Sequence, residues 1–307
     1  MPSLSRLIGR FLGGWPFGYA AKTAIATPHP PQLPRPNTPV CIIGDVHGMA
    51  DLLENLLAQI ALQPCERQPR LIFVGDLIDR GPDSAAVLAR VMGLCLHDPA
   101  HHFCLMGNHE RMLLDALTGA SLTADQIKGF ERWLAVGGAE TCDSFGVSSQ
   151  MYRRPKGTAP DTQTLHTAQS LRNALGPTLL TWLHALPLYW QEADLAVCHA
   201  GADPRLPMAD QDPDTLIWGP SAKRRAKARA PQLAIPQLDQ RWPELDQRWI
   251  VHGHVIVPHL DLSGDLGSTG NSAPRHIAID TGAYRTGRLS ALWLDQNGAR
   301  VIEATAR

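Results

Sequence analysis

Six side chains with oxygen or nitrogen donor atoms follow short apolar runs along this chain of 307 residues. Three of the runs end in glycine followed by a donor, as Gly44-Asp45, Gly75-Asp76 and Gly107-Asn108. Carboxylate, amide oxygen and imidazole together form the ligand set that suits Mn, Fe or Zn, whereas a structural site would favour thiolates. The pattern therefore predicts a metal site. The six donor residues are Asp45, His47, Asp76, Asn108, His199 and His254.

Six donors are too many for one tetrahedral ion, and two ions that share a carboxylate fit them better. Two ions about 3.5 to 4 Å apart hold a water that loses its proton near neutral pH, and they clamp phosphate oxygens. Asp76 comes from the middle of the three repeated units, so it is the expected bridge between the ions. A single aspartate after a strand is commonly a turn former, but the coincidence of five such segments favours the metal site.

The elements that must position these donors are repeated strand and helix units. Val40 to Ile43, Leu71 to Val74 and Phe103 to Met106 are predicted to be buried parallel strands, each followed by a helical pattern. The donors that follow them lie 31 and 32 residues apart, which is the length of one crossover unit. Right-handed crossovers bring the three strand ends to one edge of a sheet, where open α/β sheets bind ligands.

The second half of the chain is predicted to be rich in strands. His199 follows the run Leu195 to Cys198, and His254 follows Trp249 to Val251. Residues 123 to 136 and 164 to 185 look helical and are expected to flank the sheets, with Trp133 on an apolar face. Two further strands are expected at His276 to Ile279 and Leu289 to Leu294.

Composition narrows the class of protein. The 28 Lys and Arg against 29 Asp and Glu leave a net charge of −1, which disfavours nucleic acid or an anionic surface as partner. No apolar stretch approaches the roughly 20 residues of a transmembrane helix. The six cysteines contain no CxxC pair and are expected to be reduced core thiols. Glycines interrupt the apolar N-terminal residues before they could form a signal-peptide core, so a cytoplasmic location is predicted.

Prolines divide the chain into two predicted parts. Pro28, Pro30, Pro31, Pro34, Pro36 and Pro39 lie within twelve residues, a density that favours extended polyproline geometry. We therefore expect a flexible N-terminal arm over residues 1–38 and one catalytic domain over residues 39–307.

Three motifs resemble those of a known family. Gly44-Asp45-Val46-His47-Gly48, Gly75-Asp76-Leu77-Ile78-Asp79-Arg80-Gly81 and Gly107-Asn108-His109-Glu110 resemble the motifs of calcineurin-like metallophosphoesterases. The IDRG and GNHE forms are similar to the bacterial and bacteriophage serine/threonine phosphoprotein phosphatases, as are the segments around His199, His254 and Asp280. The resemblance covers residues 39 to 305. It implies an α/β fold, a metallophosphoesterase-type β-sandwich flanked by helices, with a βαβαβ metal-binding core.

The resemblance also implies how the ligands are shared between two divalent ions. Mn²⁺ is the expected metal, with Fe or Zn as alternatives. His252 is left open between ligation and a supporting hydrogen bond. The implied ligands are Asp45, His47 and Asp76 for one ion, and Asp76, Asn108, His199 and His254 for the other.

Catalytic roles are implied for three further positions. His109 would be the general acid that protonates the leaving alkoxide. Asp79 would orient His109 and hold it cationic. Arg80, together with the ligand Asn108, would bind the substrate phosphate.

One expected phosphate ligand is missing from the sequence. Related phosphatases place an arginine two residues after the aromatic residue that corresponds to Trp218, but this chain has Gly219-Pro220-Ser221 there. Lys223, Arg224 or Arg225 could take its place. The segment from Ala135 to Thr141 contains a Gly-Gly pair similar to one in the bacterial relatives. It supports the family resemblance and is assigned no role in the site.

The predicted function is hydrolysis of phosphate monoesters by a hydroxide that the metal pair activates, with phosphoserine or phosphothreonine in proteins as substrate. A dinucleoside-polyphosphate hydrolase is the first alternative, because it shares the metal core. A noncatalytic metal-binding interaction protein that uses the Pro-rich arm is the second. The expected partner is a phosphoprotein or a small phosphoester, and protein partners are left open.

Overall fold

Two β-sheets packed face to face form the centre of the computed structural model, which describes residues 33–118, 123–149, 162–203, 206–220, 248–262 and 275–306. The first sheet has the strand order β3-β2-β1-β8-β9. Its strands are β1 (Val40–Ile43), β2 (Arg70–Phe73), β3 (His102–Cys104), β8 (Arg288–Asp295) and β9 (Gly298–Thr305). The second sheet has the order β4-β5-β6-β7. Its strands are β4 (Tyr189–Glu192), β5 (Leu195–Cys198), β6 (Trp249–His252) and β7 (Arg275–Ala278).

Helices cover the outer face of the first sheet. Alternation along β1 explains why, since Cys41 and Ile43 pack against helices whereas Val40 and Ile42 pack between the two sheets. The main helices are α1 (Ala50–Ala61), α2 (Ser84–His97), α3 (Asn108–Leu117), α4 (Ala124–Trp133), α5 (Ala139–Ser144) and α6 (Thr162–His184, kinked at Gly176). A π-helical turn, Leu134–Gly138, joins α4 to α5, and the short helices are α7 (Pro213–Trp218) and α8 (Ala283–Thr286).

The strand registers align the ends from which the site is built. β1, β2 and β3 run parallel, with Ile43 opposite Phe73 and Phe73 opposite Cys104. β5 and β6 are also parallel, with Cys198 opposite His252. The expected α/β fold, with a βαβαβ unit and a β-sandwich flanked by helices, is confirmed. β4 and β9 were not expected from the sequence.

Most of the predicted N-terminal arm lies outside the described residues. Residues 1–32 are not described, so the flexible arm and the division into arm and domain stay predictions. Within the last residues of the predicted arm, Leu33 packs against the inter-sheet core and Pro34 is buried. Among the helices that the structure describes, none combines the length and the apolar character needed to cross a membrane.

Candidate metal centre

The loops after five strands converge at one edge of the two sheets. β1, β2 and β3 contribute donors from the first sheet, and β5 and β6 contribute donors from the second. The two sheets touch here, because His199 Nδ1 donates to the carbonyl oxygen of Val74 at 3.0 Å. Residues far apart in sequence therefore share one pocket of side chains.

Asp76 lies at the centre of the converging donors. Its Oδ2 is 3.5 Å from His47 Nε2, and its Oδ1 is 3.4 Å from His199 Nε2. Two groups of potential ligands share Asp76, one with His47 and His109 and one with His199 and His254, and within each group the ligand atoms lie within 4.8 Å of one another. A carboxylate common to two groups is what a bridging ligand requires.

The two remaining donors lie beside these groups. Asn108 Oδ1 is 2.9 Å from both His199 Nε2 and His254 Nδ1. Asp45 accepts the backbone N–H of His254 through Oδ2 at 3.0 Å. The structure thus brings all six predicted donors together.

The imidazole rings of His47 and His199 are in the neutral form that can bind a metal cation. A carbonyl oxygen can only accept, so the hydrogen bonds from His47 Nδ1 to Ile78 (2.8 Å) and from His199 Nδ1 to Val74 (3.0 Å) place the proton on Nδ1. Each Nε2 then presents a lone pair towards Asp76. Burial lowers the pKa of His47 to about 3, so the ring is neutral at ordinary pH. This donor set fits divalent ions.

Close backbone approach explains two of the glycines at the site. A Cβ on Gly253 would lie 1.9 Å from Asp45 Oδ1. A Cβ on Gly107 would lie 2.3 Å from Asp76 Oδ1. Neither carboxylate could keep its place beside a larger residue.

Five donor or neighbouring residues adopt left-handed backbone conformations. Among the described residues, these are five of the six non-glycine positions with positive φ. Such conformations are strained for side chains other than glycine and persist only when their surroundings impose them. The five are His47 (45°), Asp76 (51°), Asp79 (75°), Arg80 (70°) and His254 (66°).

Glu110 joins the second and third motifs from beneath the site. Its buried carboxylate accepts backbone N–H groups from Asp76 (2.9 Å), Leu77 (2.8 Å), Ile78 (3.3 Å) and Gly107 (3.1 Å). Burial, with a smaller contribution from the negative charge of Asp76, raises the pKa of Glu110 to about 7. The GNHE motif contained this residue, but sequence reasoning gave it no role.

His109 and Asp79 form a buried pair beside Asp76. His109 Nδ1 lies 2.6 Å from Asp79 Oδ2. Burial alone would lower the pKa of His109, but attraction to Asp76 and the bond to Asp79 outweigh burial and raise it. The Nε2 of His109 faces the site, where Arg80 Nη2 approaches it at 2.8 Å.

Arg80 lies across the opening of the site. Its Nη1 is 2.8 Å from His47 Nε2, and its Cζ lies 4.9 Å from the centre of the Tyr284 ring. Tyr284 also packs edge-on against His47, with ring centres 5.3 Å apart. Sequence reasoning missed Tyr284 as a neighbour of Arg80.

Three more neighbours of the site were not predicted to have a role. Asp280 is buried nearby, where burial, reinforced by the negative charge of Asp76, raises its pKa to about 6. Trp133 and Thr141 both donate hydrogen bonds to Asp79, at 2.7 and 2.6 Å. No local sequence signal could have linked either of them to Asp79.

The structure also bears on two expectations that were left open. His252 ends β6, with its Nδ1 2.9 Å from the oxygen of Gly253 and its ring beside His276. Neither group of potential ligands among the described residues includes His252. Lys223, Arg224 and Arg225, which could take the place of the missing arginine, lie outside the described residues.

Sequence comparison identifies relatives with two different activities. The chain is 46% identical over 80 residues to the symmetrical bis(5'-nucleosyl)-tetraphosphatase of Serratia proteamaculans, which is 26% of each chain. It is 37% identical over 99 residues to serine/threonine-protein phosphatase 1 of Salmonella typhimurium, which is 32% of this chain and 38% of that one. The matched region thus spans well under half of each of these curated relatives.

Solved structures share the fold. A crystal structure of a candidate diadenosine tetraphosphatase aligns with a TM-score of 0.51 and 20% identity, covering 90% of this chain and 98% of the other. A protein serine/threonine phosphatase from Saccharomyces cerevisiae aligns with a TM-score of 0.50 and 15% identity, covering 89% and 81%.

A protein-family model matches the part of the chain that contains the candidate metal centre. The model described as calcineurin-like phosphoesterase matches residues 38–258, a range that includes the six converging donors, Asp79, Arg80 and His109. The chain therefore belongs to the calcineurin-like phosphoesterase family of metal-dependent hydrolases.

Proposed function

We propose that this chain hydrolyses phosphate monoesters, with phosphoserine or phosphothreonine in proteins as the substrate class. The observation that carries the proposal is the position of the His109–Asp79 pair and Arg80 against the donors around Asp76. Arg80 Nη2 donates to His109 Nε2 at 2.8 Å, so the phosphate-binding guanidinium and the ring nitrogen that would carry the acid proton face the same space.

Two divalent ions, with Mn²⁺ as the proposed metal, complete this site. Bound ions lower the pKa of water and withdraw charge from phosphate oxygens, which supplies the nucleophile and part of the electrostatic stabilisation. The neutral imidazoles and the shared Asp76 are the observations that support this assignment. The proposed ligands are Asp45, His47 and Asp76 for one ion and Asp76, Asn108, His199 and His254 for the other.

The chain's own residues bind the phosphate and deliver a proton. The guanidinium of Arg80 presents two N–H groups on one face, which suits two phosphate oxygens. His109 keeps its Nδ1 proton on Asp79, so Nε2 is the atom that would pass a proton to the departing oxygen. Asn108 begins α3 and, as a proposed ligand, would hold the adjacent His109 beside the ions.

The acid pair favours monoesters of alcohols among the possible substrates. An alkoxide from phosphoserine is a poor leaving group, so protonation by His109 lowers its barrier strongly. A nucleotide leaving from a phosphoanhydride needs that proton much less. The intact His109 and Arg80 also argue against a purely noncatalytic binding protein.

Hydrolysis of dinucleoside polyphosphates is the second candidate. The observation that favours it is the similarity to the tetraphosphatase of Serratia proteamaculans, which is 46% identical over 80 residues. Both candidates share the metal core, so the six proposed metal ligands do not separate them. Their difference lies in what surrounds the cleaved bond.

A substrate panel tests the proposal. The purified chain, stripped of metal and supplied with Mn²⁺, is assayed with a phosphoserine peptide, p-nitrophenyl phosphate and diadenosine tetraphosphate. We expect the highest kcat/KM among biological substrates for the phosphopeptide and no metal-dependent turnover by Asp76→Ala. Preference for diadenosine tetraphosphate would favour the second candidate, and activity of Asp76→Ala equal to wild type would overturn the metal mechanism.

A further inference from the structure

Trp133 and Thr141 both donate hydrogen bonds to the carboxylate of Asp79. We infer that these two residues position the general acid His109 by fixing Asp79, an inference that rests on the proposed phosphatase function. Neither residue has a contact with the six proposed ligands among the hydrogen bonds of the described residues. The hydrogen bonds that link them to the site therefore go to Asp79.

The carboxylate of Asp79 is held by three hydrogen-bond donors. Oδ2 accepts from His109 Nδ1 at 2.6 Å and from Trp133 Nε1 at 2.7 Å, and Oδ1 accepts from Thr141 Oγ1 at 2.6 Å. The indole nitrogen can only donate, so it requires an acceptor at Asp79. All four residues are buried, and this leaves the carboxylate no water to replace a lost donor.

The hydroxyl groups around Asp79 have only one consistent set of donors. Thr141 gives its single proton to the Asp79 carboxylate, so Ser84 must donate to Thr141 across their 2.9 Å contact. The backbone N–H of Asp79 in turn approaches Ser84 Oγ at 3.0 Å and Thr141 Oγ1 at 2.9 Å. Both the backbone and the side chain of Asp79 are thereby held.

The same segment of chain also supports Arg80. Trp133 and Thr141 lie on either side of the π-helical turn Leu134–Gly138, and within that turn the carbonyl of Gly137 accepts the N–H of Arg80 at 3.0 Å. A Cβ on Gly137 would lie 2.7 Å from Arg80 Cγ. The π-helical turn therefore packs directly behind the residues that would face substrate.

Loss of either donor should affect the reaction in a way that depends on the leaving group. Without the indole N–H or the threonine hydroxyl, the Asp79 carboxylate can rotate and His109 loses its alignment. Alkyl phosphates need the proton from His109, whereas p-nitrophenyl phosphate releases a stable anion. A residue that merely stabilised the fold would reduce both activities to the same extent.

Four variants test this with full-length enzyme saturated with Mn²⁺. Trp133→Phe and Thr141→Val remove one donor each, and Thr141→Ser keeps the hydroxyl. Trp293→Phe is the matched control, because Trp293 is equally buried and donates to Asp295 at 2.8 Å in β8. Circular dichroism and thermal unfolding check that every variant is folded.

General-acid catalysis accelerates a reaction by roughly 100- to 10,000-fold. We therefore expect kcat for a phosphoserine peptide to fall about 10- to 100-fold in Trp133→Phe and Thr141→Val, since these variants weaken the acid without removing it. With p-nitrophenyl phosphate the loss should stay below about 3-fold, and Thr141→Ser and Trp293→Phe should resemble wild type. If wild type is active but Trp133→Phe and Thr141→Val lose equal activity on both substrates, or lose none, the inference fails while the proposed function stands. A wild type without phosphatase activity would instead overturn the proposed function.

A spectroscopic measurement checks the network without relying on turnover. In protein labelled with ¹⁵N-tryptophan, Thr141→Val and His109→Asn should shift the indole N–H resonance of Trp133 more than that of Trp293. An unmoved Trp133 resonance in both variants would show that the shared carboxylate does not couple these groups, and the inference would fail.

Discussion

Glu110 Oε2 accepts the backbone N–H of Asp76 at 2.9 Å, so a carboxylate of the third motif holds the central residue of the second. The same oxygen accepts the N–H of Gly107 at 3.1 Å. One side chain therefore sets the distance between the loop that carries Asp76 and the loop that carries Asn108.

Replacing Glu110 by glutamine should loosen both loops. The amide NH₂ would face backbone N–H groups that need an acceptor, and each buried group left unsatisfied costs about 1 to 3 kcal/mol. We expect Glu110→Gln to lower the free energy of unfolding by at least one such amount and to weaken Mn²⁺ binding, measured by chemical denaturation and calorimetry. Glu54→Gln is the control, because Glu54 forms a half-exposed ion pair with Arg90 worth about 0 to 1 kcal/mol. Equal effects of the two variants would contradict the role of Glu110.

Mn²⁺ should stabilise the folded protein through Asp76. An ion that binds only the folded state adds about 2.7 kcal/mol at a concentration of 100 times its Kd. We expect Tm to rise with Mn²⁺ concentration in wild type and to fall again on addition of EDTA. Asp76→Ala should abolish most of this rise, because it removes the carboxylate common to both ligand groups. A rise in Tm as large as that of wild type would argue against a shared ligand.

Two glycine substitutions should have opposite effects. A Cβ at Gly253 would collide with Asp45 Oδ1 at 1.9 Å, so Gly253→Ala should lower stability by about 1 to 3 kcal/mol and weaken metal binding. Gly93 is an exposed position within α2 with no heavy atom within 4 Å of an added Cβ. Gly93→Ala should therefore stabilise the protein by about 0.5 to 1 kcal/mol and leave metal binding unchanged. Denaturation curves and Mn²⁺ titrations of both variants measure the contrast.

The cysteines should differ sharply in reactivity. The expectation of core thiols holds for five of the six, but Cys65 is exposed. Burial raises the pKa of Cys95 to about 11 and the pKa values of Cys142 and Cys198 to about 12, so little thiolate forms at pH 8. Iodoacetamide at pH 8 should label Cys65 in the native protein, with the others reacting only on unfolding. Rapid native labelling of a Cys65→Ser variant would contradict this.

The site was predictable where its signals were local in sequence. Each of the first three strands is followed within about three residues by a glycine and then a ligand-type residue, and parallel connection brings those ends together. The six donors accordingly lie around Asp76 in the structure. The connection of Trp133 to Asp79 was not predictable, because it joins residues 54 positions apart and the helical pattern indicated only that Trp133 is buried.

The missed strands have different explanations. Asn297 comes directly before Gly298, the first residue of β9, and an Asn-Gly pair after an apolar strand is a hairpin signal that could have revealed this strand. β4 gives no comparable signal, because Gln191 and Glu192 are exposed and polar. His252 is the last residue of β6, whereas the left-handed φ of 66° turns the chain at His254.

The left-handed residues around Asp76 lower the folding stability of the protein in order to form the site. Glycine would relieve the backbone at such a position, where another residue costs about 1 to 2 kcal/mol. Selection for thermal stability alone would therefore favour glycine at His47, Asp76 or Arg80. Such variants would be more stable, but they would lack a proposed metal ligand or the proposed phosphate-binding side chain. Side chains larger than glycine at these φ angles therefore reflect a requirement of the site and not of folding stability.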